Sequence, residues 1–301
     1  MIRSPYECII IGGGIAGLQA AIQLGRYQHR VLLLDGGKGR STICRRYHNL
    51  MGWPEGISGE ALLRSGRAQA EKLGIELAKD TVVMTQIRNG GFRVDTTAGA
   101  VYEAKRLLLA TGVSDRLPAD LDLKPCIGTS LYICPDCDGY EIRGKRTLVL
   151  GSGNAGASMA LVLRYWTEEI IYINHERQEL DAGMHEQLKQ KGIAYMEEAV
   201  AAVDHTDGKM AGVRLSDGAC IEADCGFIAF GRNKVQSDLA EQLGVKLMDN
   251  RHIIVDARTK MTSVSHVWAA GDVTVHSEQA AIAMGDGAQA AIWIHKSLIG
   301  S

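Results

Sequence analysis

The chain has 301 residues, of which 46% are hydrophobic and 23% are charged, so it can bury a sizeable core and is not disordered. Its 33 Lys and Arg nearly balance its 35 Asp and Glu, which gives no signature of binding to nucleic acid or to an anionic membrane. Seven cysteines, an odd number in a long chain, argue against a secreted disulfide framework.

The first part of the chain contains an uncharged stretch, residues 8–25, with five Gly and two Gln. This content argues against a membrane span or a signal peptide. The pattern instead predicts a buried strand at 6–11, a Gly-Gly-Gly-Ile-Ala-Gly turn and a helix at 18–28. A second strand at 31–34 ends before Asp35. This strand–turn–helix–strand unit is typical of a dinucleotide-binding site.

Each glycine of this fingerprint has a predicted role. Gly12 permits the tight turn, Gly14 lets the backbone approach a pyrophosphate, and Gly17 lets the helix pack on the strand. The helix N-terminus would face the phosphates, and Asp35 would bind ribose hydroxyls. The alternative is an ordinary turn with Asp35 on a solvated loop.

The same pattern recurs between residues 146 and 173, where a strand, a Gly-Ser-Gly-Asn-Ala-Gly turn, a helix and a strand follow one another. Gly151 precedes Asn174 by the same number of positions as Gly12 precedes Asp35. Two fingerprints in one register, each between a predicted strand and a helix, are a strong signal. Short strands and turns follow each unit, so the chain predicts two related nucleotide-binding halves.

Between the halves, Cys134 and Cys137 have C-x-x-C spacing and directly precede Asp138. Two cysteines at this spacing can close a small disulfide ring at a helix start, where the helix dipole favours the reactive thiolate. The alternative is a zinc half-site completed by Cys220 and Cys225, but both of these occupy predicted strands. We therefore expect redox chemistry and no metal. The other cysteines are predicted packing residues: Cys8, Cys44 and Cys126.

Together these motifs resemble the low-molecular-weight thioredoxin reductase family over residues 5–297. The resemblance covers both fingerprints, the Ala-Thr-Gly at 110–112, the C-x-x-C-D-G segment, and a late Ala-Ala-Gly-Asp followed by Gln-Ala. It implies an α/β fold of two Rossmann-like three-layer ββα nucleotide-binding domains, the second inserted in the first. We map the FAD-binding domain to 1–116 and 246–301. The second dinucleotide-binding domain, with the redox cysteines, maps to 117–245.

The resemblance also implies roles for individual residues. Cys137 would face the flavin and Cys134 would attack the partner, while Asp138 would be the general acid/base. A helix start at Gln279 would lie beside the flavin, where backbone N–H groups stabilise negative charge on the reduced ring. The implied FAD contacts are Gly12, Gly14, Ile15, Ala16, Gly17, Asp35, Gly36, Asn49, Ala110, Thr111, Gly112, Gly271, Asp272, Gln279 and Ala280.

The second nucleotide site departs from the family pattern. NADPH-dependent members carry His-Arg-Arg after the second strand, where the arginines hold the 2′-phosphate, but this chain has Asn174, His175 and Glu176. Losing two charge-assisted hydrogen bonds costs ~3–6 kcal/mol, or roughly two to four decades of affinity. The glycines that cradle a pyrophosphate remain. The predicted second-site residues are Gly151, Gly153, Asn154, Ala155, Gly156, Asn174 and His175.

This combination resembles the pyridine-nucleotide-independent branch of the family, especially the diflavin-linked disulfide oxidoreductases of cyanobacteria. Those enzymes hold a second flavin where NADPH would sit. We therefore expect FAD as cofactor and a second FAD in place of NADPH, with an empty second site as the alternative. The electron donor, ferredoxin or another flavin donor, stays open.

The sequence thus predicts an FAD-dependent dithiol/disulfide oxidoreductase of thioredoxin-reductase type that is not driven by NADPH. Its partner would be a thioredoxin-like protein or a small dithiol. Three alternatives stay open: an NADPH-dependent thioredoxin reductase, an oxygen-dependent dithiol oxidase, and a non-catalytic flavoprotein binding module. Dithiol oxidases usually have His where this chain has Asp138. We expect a cytoplasmic homodimer without a nucleic-acid or membrane partner.

Overall fold

A computed structural model describes residues 5–88 and 90–300. Residues 1–4 and 301, at the ends of the predicted FAD-binding domain, and Asn89 lie outside the described residues. The described residues divide into two compact units. The first unit contains the described parts of Met1–Thr42, Leu50–Ser114 and Lys234–Ser301, and the second contains Ile43–Asn49 and Asp115–Asn233.

The described residues form seventeen strands and seven α-helices. The strands are β1 Tyr6–Ile11, β2 Val31–Leu34, β3 Glu76–Ala78, β4 Val82–Arg88, β5 Gly91–Thr96, β6 Val101–Leu109, β7 Val113–Ser114, β8 Leu131–Tyr132, β9 Thr147–Gly151, β10 Ile170–Asn174, β11 Ala194–Met196, β12 Val200–Thr206, β13 Lys209–Leu215, β14 Cys220–Glu222, β15 Cys225–Ala229, β16 Lys234–Val235 and β17 Val267–Ala269. The helices are α1 Ile15–Arg26, α2 Gly59–Lys72, α3 Pro135–Asp138, α4 Gly153–Leu163, α5 Met184–Gln190, α6 Asp238–Gln242 and α7 Ala280–Ile299.

The first unit is built on one sheet with strand order β3-β2-β1-β6-β5-β4, and β17 also pairs with β6. Strands β1, β2, β3 and β17 join β6 in a parallel arrangement, whereas β4, β5 and β6 are antiparallel. In this register Ile11 pairs with Leu34 and Leu109, and Leu109 pairs with Ala269. The carboxyl ends of four strands therefore meet at one edge of the sheet, as in other open α/β folds.

The helices α1 and α7 pack on each other in the first unit, and α2 packs on α1. Small residues allow this close approach. A Cβ added at Gly287 would lie 2.2 Å from the carbonyl oxygen of Ala16. The buried sheet residues of this unit, such as Ile9, Leu107 and Val267, form a continuous core on the strands. This core holds the strand ends, and hence the loops at the sheet edge, in place.

The second unit has a five-stranded parallel sheet of order β11-β10-β9-β15-β8 and a three-stranded antiparallel sheet, β12-β13-β14. Alternate residues of β9 enter different cores, because successive side chains of a strand point to opposite faces. Leu148 and Leu150 join one buried cluster and Val149 joins another. Gly151 pairs with Asn174 and with Ala229, so these strand ends also meet at one edge.

The predicted fold class is confirmed: the described residues form an α/β protein with two Rossmann-like units, and the main segment of the second unit interrupts the first. The predicted domain limits at residues 116 and 246 stay a prediction. Both fingerprint helices start earlier than predicted, at Ile15 and at Gly153, because Gly and Ala in their first turns hide the apolar periodicity. None of the helices in the described part of the chain combines the length and apolarity needed to cross a membrane.

Candidate active site and nucleotide-binding turns

The first Gly-rich turn lies at the sheet edge of the first unit, between β1 and α1. Gly12 has a φ of +110°, and a Cβ there would lie 2.2 Å from the Ala110 carbonyl oxygen. A Cβ at Gly17 would lie 1.9 Å from the Gly12 carbonyl oxygen. A Cβ at Gly14, by contrast, would meet no atom within 4 Å. Packing against the neighbouring backbone therefore requires glycine at positions 12 and 17, whereas Gly14 faces open space.

This geometry fits the pyrophosphate of FAD. Gly14 is the N-cap of α1 and, having no side chain, makes no side-chain cap hydrogen bond to the first N–H groups of the helix. Such a helix start attracts anions. The open space at Gly14 and the helix start coincide, and together they form a cradle for a phosphate group.

Asp35 directly follows β2 and lies beside the same turn. A Cβ added at Gly13 would be 2.6 Å from Asp35 Cγ. The Asp35 carboxylate accepts hydrogen bonds from the Gly37 N–H at 3.0 Å and from Arg67 Nη2 at 3.1 Å. Carboxylate oxygens have further lone pairs, so Asp35 can still accept a hydrogen bond from a ribose hydroxyl. Gly36, also predicted to contact FAD, follows it in the chain.

The loop after β17 is held by a buried cluster that the sequence analysis missed. Asp286 of α7 accepts a hydrogen bond from the Gly271 N–H at 3.2 Å, and it forms ion pairs with Lys260 at 2.8 Å and with His276 at 2.6 Å. Burial by itself would raise the pKa of Asp286, but the hydrogen bonds from His276 and Lys260 lower it below the ordinary value. The cluster therefore fixes the loop that carries Asp272.

A second missed residue, Arg40, lies near the same loop. Its guanidinium forms a short ion pair with Glu278 and lies 3.6 Å from Asp272 Oδ2. Burial raises the pKa of Asp272 despite the opposing effect of Arg40. Gln279 is the N-cap of α7 and Ala280 is its first residue. No motif marks Arg40, because its role depends on residues more than two hundred positions away.

The remaining predicted FAD residues divide between the two units. Ala110, Thr111 and Gly112 follow β6, and the Thr111 hydroxyl donates a hydrogen bond to the Gln236 carbonyl oxygen. Asn49 belongs to the short segment Ile43–Asn49, which clusters with the second unit. The sheet edge of the first unit therefore gathers the predicted FAD residues other than Asn49.

Cys134 and Cys137 form a disulfide in the second unit, with their Cα atoms 5.3 Å apart. Cys134 is the N-cap of α3, and its carbonyl oxygen accepts hydrogen bonds from the N–H groups of Cys137 and Asp138. Because α3 is a single turn, its dipole contributes less to thiolate stability than a long helix would.

The Asp138 carboxyl lies on the same turn as the disulfide. Its burial, with a smaller effect from the charge of Glu141, raises its pKa to about 7. A carboxyl group with this pKa can both donate and accept a proton near neutral pH. The structure therefore brings the three predicted catalytic residues together on one helical turn.

Four of the other five cysteines lie in environments that keep them as thiols. Burial, with the charge of Asp138 as a second cause, raises the pKa of Cys44 to about 11. Burial also raises the pKa of Cys8, Cys126 and Cys225. Cys220 is exposed on β14.

The second Gly-rich turn has the same packing requirement as the first. A Cβ at Gly151 would lie 2.6 Å from the Ala229 carbonyl oxygen, and one at Gly156 would lie 2.3 Å from the Tyr172 ring. Gly153 differs from its counterpart, because it has a φ of +50° and already belongs to α4. The two fingerprints are therefore alike in sequence but not in backbone conformation.

Asn174 is fully buried and is used inside the second unit. Its Oδ1 accepts a hydrogen bond from the Gly153 N–H at 2.9 Å, and its Nδ2 donates to the Gln178 carbonyl oxygen at 2.7 Å and to the Tyr195 hydroxyl at 3.0 Å. These bonds tie the end of β10 to the turn. The Asn174 amide is thus a structural link, although the sequence pattern places it where a ribose ligand is expected.

His175 and Arg177 also have partners within the unit. The buried His175 accepts a hydrogen bond from the Val200 N–H through Nδ1, and its Nε2 lies 3.4 Å from Asp120. Arg177 forms a short ion pair with Glu198. Both side chains are therefore committed to structural contacts.

Two further predicted residues, Asn154 and Ala155, lie in the first turn of α4. Asn154 Oδ1 accepts a hydrogen bond from the Asp181 N–H at 2.9 Å, which attaches the chain after β10 to this helix. The Ala155 Cβ would be 3.0 Å from a Cβ added at Gly231.

Glu176 stands beside the second turn. Both of its carboxylate oxygens accept hydrogen bonds from Arg116, which also donates to the Phe230 carbonyl oxygen at 3.1 Å. Burial alone would raise the pKa of Glu176, but the hydrogen bonds from Arg116 and Ser152 lower it below its usual value. Glu176 is thus held as a carboxylate paired with Arg116.

A comparison with protein families identifies the scaffold. The model of the pyridine nucleotide-disulphide oxidoreductases matches residues 6–287. The chain belongs to this family. Thioredoxin reductases are among its relatives: that of Streptomyces coelicolor is 30% identical over 299 residues, covering 94% of this chain and 91% of the relative. That of Rickettsia felis is 28% identical and covers 99% of both chains.

Solved structures of this family agree with the fold. An oxidoreductase from Agrobacterium tumefaciens is 29% identical and superposes with a TM-score of 0.81. The match covers 98% of this chain and 99% of that structure. An atypical thioredoxin reductase from Desulfovibrio vulgaris is 32% identical with a TM-score of 0.56, over 98% of this chain and 99% of its own. The chain is thus a flavin disulfide oxidoreductase, similar to the thioredoxin reductases.

Proposed function

We propose that this flavin disulfide oxidoreductase reduces, through Cys134 and Cys137, the disulfide form of a thioredoxin-like protein or of a small dithiol. The observation that carries this proposal is the disulfide on one turn with a carboxyl group, Asp138, whose pKa is about 7. FAD held at the first Gly-rich turn would, once reduced by the electron donor, supply the two electrons that open the Cys134–Cys137 bond.

The chain's own residues then perform the exchange. The Cys134 thiolate attacks the partner's disulfide, and one partner sulfur leaves as a thiolate that takes a proton from Asp138. The Cys137 thiolate next attacks Cys134 in the mixed disulfide and releases the second partner sulfur as a thiolate, which takes its proton from water. The Cys134–Cys137 disulfide is re-formed, and the partner leaves as a dithiol.

The proposed electron donor is not NADPH. Asn174 and His175 are committed to hydrogen bonds within the second unit, and Glu176 adds a negative charge where a 2′-phosphate would lie. These features support the pyridine-nucleotide-independent branch, with ferredoxin or another flavin donor as the source of electrons. A second FAD at the second turn is part of this proposal.

The similarity to thioredoxin reductases supports a thioredoxin-like protein as the proposed partner. Besides the thioredoxin reductases, one relative from Mycobacterium leprae is a bifunctional thioredoxin reductase/thioredoxin. We extend the family pattern to a cytoplasmic homodimer, with an FAD-binding domain at 1–116 and 246–301 and a second dinucleotide-binding domain at 117–245.

Anaerobic titration with dithionite tests the disulfide. The wild type should take up two electrons beyond those that its flavin consumes, whereas Cys134→Ser and Cys137→Ser should lose this excess and keep their FAD. Cys220→Ser, at an exposed strand position, is the matched control and should titrate like the wild type. Full dithiol turnover in either active-site variant would refute the assignment.

Stopped-flow mixing with NADPH and a flavin count after denaturation test the donor. We expect slow flavin reduction by NADPH and two flavins per chain once FAD is supplied. Rapid reduction by micromolar NADPH in a protein with one FAD per chain would identify an ordinary NADPH-dependent thioredoxin reductase.

A further inference from the structure

The glycine that follows Asp138 is required by an aromatic ring of the same unit. Gly139 is buried and has φ −59° and ψ −29°, a helical conformation that any residue can adopt. A Cβ added there would nevertheless lie 2.6, 2.7 and 2.8 Å from Cε2, Cζ2 and Cδ2 of Trp166. Because these distances are nearly equal, the Gly139 backbone faces the plane of the indole ring. The ring therefore packs on the chain directly after the redox turn.

The segment that carries Trp166 is itself firmly held. Trp166 lies just after α4, and its N–H donates a hydrogen bond to the Leu163 carbonyl oxygen at 3.0 Å. Arg164 donates to the carbonyl oxygens of Thr167 at 3.0 Å and of Lys191 at 2.7 Å. The half-buried indole also packs against the buried cluster that contains Leu163. The ring is thus a fixed support for the backbone that it contacts.

The short 3₁₀ turn Gly139–Ile142 is attached to the same segment at its other end. The carbonyl oxygen of Ile142, a fully buried residue, accepts a hydrogen bond from the Lys145 N–H at 3.0 Å. The Lys145 carbonyl oxygen accepts hydrogen bonds from the hydroxyls of Thr167 at 2.9 Å and of Thr147 at 3.1 Å. The chain after the redox turn is therefore held at one end by Trp166 and at the other through Thr167.

The position of Asp138 matters because its affinity for a proton depends on its exclusion from water. Three ionisable side chains interact with it electrostatically: Glu141, Tyr132 and Cys44. The negative charge of Glu141 disfavours the Asp138 carboxylate, while burial raises the pKa of Tyr132 and of Cys44 and keeps both neutral near pH ~7. None of these three stabilises the carboxylate, so burial chiefly sets the Asp138 pKa of about 7. A movement that admitted water would return Asp138 toward an ordinary carboxylic acid.

We propose that Trp166 is a positioning residue for thiol–disulfide exchange. Its indole ring holds Gly139 in place, and through Gly139 it keeps the Asp138 carboxyl half-buried on the turn that carries Cys134 and Cys137. Trp166 transfers no proton itself and acts through Asp138. The inference rests on the proposed acid role of Asp138 and deepens it, because it names the contact that maintains this role.

Single-turnover reduction of a disulfide tests the inference, with FAD-loaded protein that is reduced by dithionite, freed of excess reductant and mixed with one equivalent of probe. The Cys134–Cys137 dithiol is oxidised to the disulfide, and the probe is reduced to two thiols. Hydroxyethyl disulfide releases a basic alkyl thiolate that needs a proton donor, whereas dithiobis(nitrobenzoate) releases an acidic aryl thiolate that leaves without one. The two probes therefore separate proton donation from the attack by Cys134.

Trp166→Leu should slow the reduction of hydroxyethyl disulfide ~10-fold at pH ~7 and change that of dithiobis(nitrobenzoate) less than ~2-fold. Proton donation to the first probe should decline at pH ~5–6 in this variant, because Asp138 becomes more exposed to water. Trp166→Phe keeps a flat ring and should restore most of the wild-type rate and pH profile. Tyr165→Ala, which removes an 86% exposed neighbour of Trp166, is the matched control and should behave like the wild type.

Gly139→Ala disturbs the same contact from the other side. Its backbone conformation accepts alanine, but the added methyl group would meet the indole ring. This variant should therefore slow the first probe selectively, as Trp166→Leu does. It supplies the same test should Trp166→Leu fail to fold.

Combining Trp166→Leu with Asp138→Asn distinguishes positioning from general damage. Because Trp166 acts through Asp138, the double variant should reduce hydroxyethyl disulfide no more slowly than Asp138→Asn alone. Additive slowing, equal slowing of both probes, or a wild-type pH profile in Trp166→Leu would each overturn the inference. Slow exchange in Asp138→Asn beside normal exchange in Trp166→Leu and Gly139→Ala would overturn the inference alone, whereas wild-type rates in Asp138→Asn would refute the acid role as well.

Discussion

The two Gly-rich turns show how one sequence pattern can serve two different sites. In the first turn Gly14 faces open space and Asp35 stands beside Gly13 with lone pairs to spare. In the second turn, the Asn174 amide accepts a hydrogen bond from the Gly153 N–H and donates one to the Gln178 carbonyl oxygen beyond β10. The nearby Glu176 carboxylate accepts hydrogen bonds from Arg116. The fingerprint therefore specifies a strand–helix connection, and the neighbouring side chains decide which ligand it accepts.

The two units also differ in the direction in which the pKa of a desolvated carboxyl group is shifted. Asp286 in the first unit is paired with His276 and Lys260, which lower its pKa and keep it charged. Asp138 in the second unit is half-buried near Glu141, and desolvation raises its pKa to about 7. The first arrangement holds a loop in place, whereas the second leaves a proton free to move.

The largest expected effect separates two glycines of the first turn. Gly17→Ala should destabilise the first unit by ~3 kcal/mol or more and abolish FAD binding, because its Cβ would collide with the Gly12 backbone. Gly14→Ala should keep the stability of the FAD-free protein but lose FAD affinity, since its Cβ enters the open cradle. Thermal unfolding and FAD titration of both variants check this. Wild-type FAD affinity in Gly14→Ala would exclude a phosphate at this turn.

The Asp138 carboxyl group should control the rate of thiol–disulfide exchange. Asp138→Asn should slow exchange ~10²–10⁴-fold, the scale of a positioned proton donor, and retain the flavin spectrum. In the wild type, proton donation should decline as the pH rises above about 7, and this decline should be absent from the variant. Asp136→Asn, at an exposed neighbouring position, is the control. An unaltered rate in Asp138→Asn would show that another group carries the proton.

The same carboxyl makes stability depend on pH. The folded-state pKa of about 7 lies above the ordinary Asp value of ~4, so the proton is bound more tightly in the folded protein. The free energy of unfolding should therefore fall as the pH rises from about 4 to about 7, and Asp138→Asn should weaken this dependence. Urea unfolding at several pH values measures it.

Asn174→Asp distinguishes a structural amide from a ribose ligand. The carboxylate would lose the donor to Gln178 and Tyr195 and place a charge in a buried position, so we expect a loss of ~2–4 kcal/mol of stability without a gain in NADH binding. Asn154→Asp keeps its acceptor for the Asp181 N–H and should change stability little. A stable Asn174→Asp protein with improved NADH binding would place this side chain on the ribose.

The smallest effect concerns His276. Its hydrogen bond to Asp286 raises its pKa although burial acts in the opposite direction. The protonated form therefore stabilises the folded protein at low pH, and this contribution is lost as the pH rises through the folded-state pKa. His276→Gln should lower the free energy of unfolding slightly below pH ~6, by less than ~1 kcal/mol, and hardly at all at pH ~8. Thermal unfolding at both pH values measures this difference.

His266 provides the matched comparison for this test, because burial lowers its pKa. His266→Gln should show the opposite pH trend, with its relative stability improving as the pH falls. Equal pH trends in the two histidine variants would contradict the assigned role of Asp286.

The sequence by itself determined the features that depend on local order. Each Gly-rich turn is marked by its position between an apolar strand and a helix, and the C-x-x-C spacing brings two sulfurs within reach on one turn. These patterns were sufficient for the α/β class, the two nucleotide-binding halves and the redox cysteines. They also predict that Glu176 stands where NADPH-dependent members of the family have an arginine.

Only the tertiary structure decided which side chains meet at these turns. Arg116 reaches Glu176 across 60 residues and Arg40 reaches Glu278 across 238, because parallel strands bring distant loops to one sheet edge. Asn174 links β10 to the turn because its amide oxygen and its amide nitrogen match a backbone N–H and a carbonyl oxygen that no local pattern reveals. Side-chain partners across such distances depend on register and packing, which a single sequence does not display.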